Sequence, residues 1–187
     1  MTVSVPRHPG PWTIDDLYAI PDDGYRYEIA DGSLLVSPPP PILHLDVNDR
    51  LLNVLKRQAP PEFRVLAVGG GIDISRRTTY YIPDVLVVPE EVMKRGGPLF
   101  YPADVLLVVE VLSPSNAGKD LVLKRHDYAA AGIPQYWIAD PRERTLTVLV
   151  SDGAGPYRED AVVRTGESWS TDRPYPIRLD PSEFLQP

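Results

Sequence analysis

Apolar and polar positions along the chain follow two periods, one typical of strands and one typical of helices. Residues 25–29 alternate, Asp31-Gly32 turns the chain, and residues 33–36 return it, which predicts an N-terminal β-hairpin. From Ile42 to about Gln58 the apolar residues recur at helical spacing, so a long amphipathic helix is predicted there. The chain therefore mixes strands and helices from its first third onwards.

The rest of the chain continues this mixture. Short apolar or alternating runs predict strands at 63–68, 72–74, 80–88, 105–112, 135–139, 144–150 and 157–164. A short helix is expected from Ile14 to Ala19 and a longer one from about Lys119 to Ala131, while the Pro- and Gly-rich residues 89–103 are predicted to be a loop. In the tail from Pro174 to Pro187, the apolar residues Leu179, Phe184 and Leu185 are expected to seal the core.

The aliphatic run 105–112 is interrupted by one carboxylate, that of Glu110. A strand that is apolar on both faces is usually buried on both faces, in the middle of a sheet. Burying an unpartnered Glu there costs several kcal/mol or more, so Glu110 must be protonated, paired with a cation or bound to a metal. A salt-bridged structural Glu is one reading, and a metal ligand is the other.

Length and composition indicate an ordinary globular protein. The 187 residues suit a single domain over 13–187, preceded by a flexible N-terminal segment over 1–12. No apolar run is long enough to span a membrane, and the N-terminus has no signal-peptide core, so no membrane partner is expected. The absence of cysteine excludes disulfides, thiolate metal sites and Cys nucleophiles, and it suits a cytoplasmic location.

The net charge of −7 restricts how the chain could hold nucleic acid. A protein that binds duplex DNA through its general surface is normally basic. Any nucleic-acid function must therefore depend on a local basic patch or on metal ions. Gly69-Gly70-Gly71 is a weak phosphate-loop signal, but no GK[ST] and no helix pattern follow it, so a P-loop is excluded and a bulge or close backbone approach is favoured.

Two acids on neighbouring predicted strands suggest a metal site. Asp84 follows Pro83 at the mouth of a β-branched run, and Glu110 lies near the end of the next strand. Carboxylate oxygens are the hard ligands that Mg²⁺ prefers, and Mg²⁺ usually binds through one or two of them with several waters. Such an ion can polarise a phosphodiester and activate a water for attack.

Lys124, on the predicted helix after Glu110, could aim its ammonium at these acids and stabilise developing charge. It shares a helix face with Asp120 and Tyr128, so an exposed ion pair with Asp120 is the mundane alternative. Lys119 lies about 140° away around an α-helix, which favours Lys124 as the catalytic lysine. His44 lies in the first turn of its predicted helix, where a surface or capping role is favoured over a catalytic one.

The order of several motifs resembles one known family. The matching stretches are Tyr27–Gly32, the Ser-Pro-rich segment leading to His44, Pro83–Val85, Val109–Ser115, the set Asp120, Lys124 and Tyr128, and Gly132–Pro141. They resemble the Uma2 family of endonucleases in the PD-(D/E)XK restriction-endonuclease-like superfamily, over nearly the whole chain from about Thr13 to Leu185. The resemblance implies an α/β fold with a central mixed β-sheet flanked by helices.

The resemblance also implies Mg²⁺-dependent phosphodiester hydrolysis, with Asp84 as the motif Asp and Glu110 as the motif acid. The superfamily pattern expects Lys two positions after the acid, where this chain has Leu112. In Uma2-like sequences the lysine moves to the following helix, which makes Lys124 the candidate. Glu28 resembles the upstream acid that completes metal binding, and His44 matches a family position.

The sequence therefore predicts an endonuclease that uses Mg²⁺ or Mn²⁺ to hydrolyse DNA. The predicted catalytic residues are Asp84, Glu110, Lys124, Glu28 and His44, and the predicted metal ligands are Asp84, Glu110 and Glu28. A catalytically silent binding or scaffold module of the same fold and a nuclease acting on RNA remain the alternatives. Cutting both strands of a duplex with one active site per chain also favours a homodimer.

Overall fold

A computed structural model of the protein describes residues 8–67, 70–75, 77–113, 118–153 and 155–186, and it describes only the backbone of 119–121. Two sheets carry most of the regular structure in these ranges. The six-stranded sheet has the spatial order β10 (Arg158–Arg164), β9 (Thr145–Val150), β8 (Gln135–Asp140), β7 (Leu107–Val111), β6 (Val85–Pro89) and β3 (Phe63–Ala67). The four-stranded sheet has the order β2 (Ser33–Ser37), β1 (Arg26–Ala30), β5 (Thr79–Tyr81) and β4 (Ile72–Ser75).

Helices lie between the strands. The α-helices are α1 (Ile14–Leu17), α2 (Ile42–Gln58), α3 (Glu90–Arg95) and α4 (Arg125–Ala130). A π-helix (Lys119–Lys124) runs directly into α4, and 3₁₀ turns lie at Pro102–Asp104 and Pro181–Glu183. A short antiparallel pair joins β11 (Trp169–Thr171) to β12 (Ile177–Leu179) near the C-terminus. No helix within the described ranges is long and apolar enough to cross a membrane.

The six-stranded sheet is mixed, as the sequence predicted. Strands β7 and β8 are parallel, with Val109 opposite Trp137, and the other neighbours in this sheet are antiparallel. Parallel neighbours need a crossover, and here the π-helix and α4 supply it. This crossover carries Lys124 back towards the strand that carries Glu110.

Apolar residues cover both faces of β7, which confirms the expected burial for residues 107–111 of the 105–112 run, while Leu106 and Leu112 are half-buried. On one face, Leu107, Val109 and Val111 belong to a core that includes the buried side of α2 and the tail residues Phe184 and Leu185. On the other face, Val108 packs in a second core with Tyr81, Tyr128 and Tyr136. Because alternate strand residues share a face, Glu110 lies on the side of Val108 and therefore faces α4.

Several sequence predictions were wrong. The run 80–88 is two strands in different sheets, because the chain leaves β5 after Tyr81 and begins β6 at Val85. Pro83 has no N–H to donate to a ladder, which suits this break. The predicted loop 89–103 contains α3 and a 3₁₀ turn. Acids in the first turn of α3 and basic residues in its last turn favour that helix electrostatically, a signal that the sequence analysis missed.

Other predictions were confirmed within a residue or two. The hairpin of β1 and β2, the long helix α2 and the β9–β10 pair lie where the patterns put them. Leu179, Phe184 and Leu185 are buried as expected. Gly71 lies so close to the ring of Tyr80 that a Cβ there would collide with it, which confirms a close backbone approach. Residues 1–7 of the predicted flexible segment lie outside the described residues, and the domain boundary at residue 13 stays a prediction.

Candidate active site

The sheet register brings the two strand-borne acids together. Strands β6 and β7 are antiparallel, with Val85 opposite Val109. Continuing this register by one residue places Asp84 opposite Glu110. Both side chains are fully buried, at 0% exposure. The pair predicted from the sequence therefore lies at one end of the central strands.

Asp84 is held by groups from three separate elements. Its Oδ2 accepts the Val111 N–H at 2.8 Å and lies 3.0 Å from Nε2 of His44 on α2. Its Oδ1 accepts from both terminal nitrogens of Arg26 on β1, at 3.2 and 3.3 Å. Burial opposes ionisation, but the His44 hydrogen bond, the nearby cations and the Val111 N–H outweigh it and lower the pKa of Asp84. Asp84 is therefore a carboxylate in the folded protein.

Arg26 is a site residue that the sequence analysis missed. Burial alone would lower the pKa of its guanidinium, but Asp84, Glu110 and Glu28 together raise it. The guanidinium also donates to the Ile82 carbonyl at 3.3 Å. The alternation of the hairpin already put Arg26 and Glu28 on one face, and a cation beside an acid on one strand face was the available signal.

Lys124 is buried between two acids, with only 2% of its surface exposed. Its Nζ lies 2.9 Å from Oε1 of Glu110 and 3.0 Å from Oε1 of Glu28. The alternative in which Lys124 is merely an exposed helix residue is therefore wrong. The side chains of Lys119 and Asp120 lie outside the described residues, so the comparison of Lys124 with Lys119 stays a prediction.

Two tyrosines surround the Lys124 ammonium and the carboxylates. The Tyr128 hydroxyl donates to Oε1 of Glu110 at 3.1 Å, and the Tyr81 ring centroid lies 5.5 Å from Nζ of Lys124. Tyr81 donates its own hydroxyl to Asp127 at 2.6 Å. Burial, followed by the hydrogen bond to Asp127, raises the pKa of Tyr81, so its hydroxyl keeps its proton. The Tyr81 ring and the Tyr128 hydroxyl thus line the Lys124–Glu110 pair, which solvent barely reaches.

Glu28 joins the hairpin to the central sheet. Its Oε1 accepts the Ile82 N–H at 2.8 Å as well as the Lys124 ammonium. Ile82 lies in the short link between β5 and β6, two residues before Asp84. The structure therefore brings Glu28 to the other predicted site residues.

His44 is not the surface or capping residue that the sequence analysis favoured. It is 4% exposed and contacts Asp84, which is forty positions away in the sequence. Leu43 and Leu45 on either side of it are half exposed, at 52% and 51%, so the first turn of α2 turns its histidine inward and its leucines outward. Nδ1 of His44 is buried and has no hydrogen-bond partner among the described residues.

Opposite charges are closely matched in this cluster. The acids Glu28, Asp84 and Glu110 face the cations Arg26 and Lys124, with His44 beside them. Within the described part of the chain, no group of three or more His, Asp or Glu residues is arranged to hold a metal ion. The carboxylates are instead engaged by an ammonium, a guanidinium and an imidazole.

Comparisons with known proteins identify the family and the fold. The model of the Uma2 family, described as "Putative restriction endonuclease", matches residues 14–181. A crystal structure described as "a putative nuclease belonging to DUF820 from Anabaena variabilis" superposes with a TM-score of 0.73 and 17% sequence identity, covering 94% of this chain and 98% of that chain. No curated protein matches the chain. The structural likeness confirms the fold. At 17% sequence identity it supports no conclusion beyond the fold.

Proposed function

Because the chain belongs to the Uma2 family, we propose that it is a nuclease of the restriction-endonuclease type that hydrolyses DNA with the help of a divalent metal ion. Family membership supports the coarser statement, an enzyme that hydrolyses phosphodiester bonds. The metal, the DNA substrate and the roles of individual residues are the proposal. The buried setting of the cluster suits electrostatic catalysis, since charges act more strongly where solvent access is low.

One observation carries the proposal. An ammonium, that of Lys124, lies within 3.0 Å of two buried carboxylates on strands of different sheets, and a third carboxylate lies at the facing position of the central ladder. Ordinary core packing does not need three acids and two cations at one point, because burying each charge is costly. A cluster that carries this cost suggests catalytic use.

The donor chemistry fits a hard cation. Asp84 and Glu110, with Glu28 beside them, offer the carboxylate oxygens that Mg²⁺ or Mn²⁺ prefers, and two carboxylates with waters complete a typical Mg²⁺ site. A bound ion would supply Lewis-acid activation of the phosphodiester and of the attacking water. The three-acid arrangement is not preformed among the described residues, so metal binding would require Lys124 or Arg26 to shift.

The chain's own residues have separate roles in this proposal. Lys124 presents a positive charge where the scissile phosphate gains negative charge. Glu28 and Glu110 orient its ammonium, and the Tyr128 hydroxyl holds Glu110. Arg26 and His44 fix the orientation of Asp84. His44 is thus a positioning residue: its Nε2 holds Asp84, and its buried Nδ1 has no hydrogen-bond partner in the described part of the chain.

A catalytically silent module is the second candidate, and the closed set of ion pairs favours it. Asp84 already has partners on both oxygens, so it does not need a metal to be stable when buried. A nuclease acting on RNA has the same site chemistry and differs only in substrate. The net charge of −7 argues against a broad DNA-binding surface and leaves local contacts to hold the substrate.

Metal binding is tested by titrating the protein with Mn²⁺ in a calorimeter. We expect the parent to bind Mn²⁺ and both Asp84→Asn and Glu110→Gln to lose binding, because each substitution removes a charged oxygen ligand. Circular dichroism checks that each variant stays folded. The matched control is Asp16→Asn, which changes an acid of α1 that contacts Thr13 and lies outside the cluster.

Plasmid cleavage in Mg²⁺ is measured in parallel. The proposal expects cleavage by the parent and none by Asp84→Asn. Binding of Mn²⁺ by either site variant as tightly as by the parent would put the metal elsewhere. Metal binding without cleavage of DNA or RNA would favour the silent module.

The assembly state is a separate prediction. We expect a homodimer in solution, because two sites related by a twofold axis can cut both strands of a duplex. Light scattering at micromolar protein, with duplex DNA present, measures the mass directly. A mass equal to one chain under these conditions would contradict the prediction.

The cysteine-free sequence keeps the cytoplasm as the expected compartment.

A further inference from the structure

A pocket of about 250 Å³ lies beside the candidate active site, between α1 and the strands β1 and β5. Its wall is rich in aromatic side chains and includes one cation. The residues that matter here are Tyr18, Tyr25, Tyr27, Tyr80, Arg26 and Ile82. Its volume is below the roughly 300–1,000 Å³ of pockets that take drug-sized ligands, so it suits one small group.

The pocket shares two residues with the candidate active site. Arg26 lines the pocket and also binds Asp84 with both terminal nitrogens. Ile82 lines the pocket, donates its N–H to Glu28 and accepts from Arg26 with its carbonyl. A ligand in this pocket would therefore lie one side chain away from the proposed metal-binding carboxylates.

Tyr18, at the C-terminal end of α1, presents its ring to solvent. It is 62% exposed, although a large ring gains most when it is buried. Tyr25 and Tyr27 are half-buried nearby, and the hydroxyl of Tyr27 is turned to Asp23 at 2.7 Å, which fixes its ring. Exposed and half-buried rings grouped around a concave surface form a stacking platform.

The charges of the lining suit a nucleotide. Arg26 lines the pocket, and its side chain keeps 26% of its surface exposed. Asp22 is the acid among the described lining residues, and one of its oxygens already accepts the Gly24 N–H at 3.2 Å. Aromatic side chains that can stack on a base and an arginine that can attract its phosphate therefore line the same pocket.

We propose that this pocket binds a single unstacked nucleobase next to the phosphate that is cut. The substrate class would then be single-stranded or locally unpaired nucleic acid, because a base inside an intact duplex must first be flipped out at a cost of a few kcal/mol. This inference rests on the proposed nuclease function. It also suits the net charge of −7, which disfavours a broad surface for duplex DNA.

The test measures binding by fluorescence anisotropy in EDTA, so that metal-dependent cleavage does not interfere. The probes are a fluorescein-labelled single-stranded oligonucleotide of mixed sequence and the same sequence as a blunt duplex. We expect the parent to prefer the single strand and Tyr18→Ala to weaken that binding about tenfold, the scale for losing one base–aromatic stack. Tyr18→Phe should keep the affinity, because it keeps the ring.

The matched control is Tyr101→Ala, which removes a ring of similar exposure, 48%, that does not line the pocket. It should leave single-strand binding unchanged. If the protein binds and cuts nucleic acid but the parent and Tyr18→Ala have equal affinity for the single strand, the base-binding role of the pocket is wrong and the proposed nuclease function is unaffected. A parent that neither binds either probe nor cuts in Mg²⁺ overturns the proposed function itself.

Discussion

Replacing Lys124 by alanine is expected to slow phosphodiester cleavage by about two to three orders of magnitude, the usual scale for losing one preorganised charge-stabilising group. The ammonium lies 2.9 Å from Glu110 and is shielded from solvent, so water cannot replace its charge. Cleavage of a labelled oligonucleotide under single-turnover conditions measures the effect on the chemical step.

Two further readouts separate catalysis from folding. Removing the lysine leaves Glu28 and Glu110 as facing buried acids, and breaking a buried pair in this way costs about 3–5 kcal/mol. Thermal unfolding therefore has to confirm that Lys124→Ala is folded at the assay temperature. Lys124→Arg, which keeps a cation, provides a second variant. Mn²⁺ affinity should not fall in either variant, because an ammonium is not a ligand.

The controls are two other lysines of the chain. Lys119→Ala should leave the rate within a few fold, and so should Lys56→Ala on the exposed last turn of α2. An equal loss in Lys119→Ala and Lys124→Ala would show that the lysine was wrongly assigned. An unchanged rate in a folded Lys124→Ala would favour the silent module.

The sequence predicted the central acids because their signals are local. Glu110 interrupts an aliphatic strand and Asp84 follows a proline at a strand start, so each stood out within a window of a few residues. Strand adjacency then followed from chain order, since consecutive strands are often neighbours. The antiparallel register of β6 and β7 brought both acids to the same end without any long-range information.

The partners of Asp84 were not predictable in the same way. Arg26 is 58 positions from Asp84 and His44 is 40 positions away, and no periodicity within β1 or α2 specifies a contact across two sheets. A histidine in the first turn of a helix is usually exposed. This rule failed for His44, because the tertiary structure places its ring against Asp84. Such failures of local rules are expected at functional sites.

The sequence analysis predicted the direction of the Lys124 side chain by assuming an α-helix, which the structure does not have there. The sequence argument used the 100° rotation per residue of an α-helix, whereas residues Lys119–Lys124 form a π-helix. A π-helix is wider and shifts every later side chain around the axis, and such segments are frequent at functional sites. Lys124 nonetheless reaches Glu110, and Tyr128 on α4 reaches the same oxygen.

Arg26→Leu is expected to lower the free energy of unfolding by about 3 kcal/mol near neutral pH, because it leaves a fully buried Asp84 short of its cation. The loss should lie at the low end of the usual range for a broken buried pair, since His44 and the Val111 N–H still bind the carboxylate. Urea unfolding in EDTA, followed by circular dichroism, measures the change in the absence of metal.

The matched control is Arg64→Leu on β3, which breaks the ion pair with Glu90 at a site where the arginine is 54% exposed. Exposed pairs contribute little, so this change should stay within about 1 kcal/mol. A loss in Arg26→Leu no larger than that in Arg64→Leu would mean that the buried cluster does not need its guanidinium.

The loss of unfolding free energy caused by Arg26→Leu is expected to depend on pH. Although burial alone would raise the pKa of Asp84, His44, Arg26 and the Val111 N–H hold it below the ordinary value of 3.8, so the stability that the carboxylate contributes is fully present above that value. That contribution is lost as the pH falls through the lowered pKa of the folded state. Removing Arg26 raises this pKa again, so the difference between parent and variant should shrink in acid. A difference that stays constant from neutral pH to below 3.8 would mean that Arg26 stabilises the fold by packing rather than by its charge on Asp84.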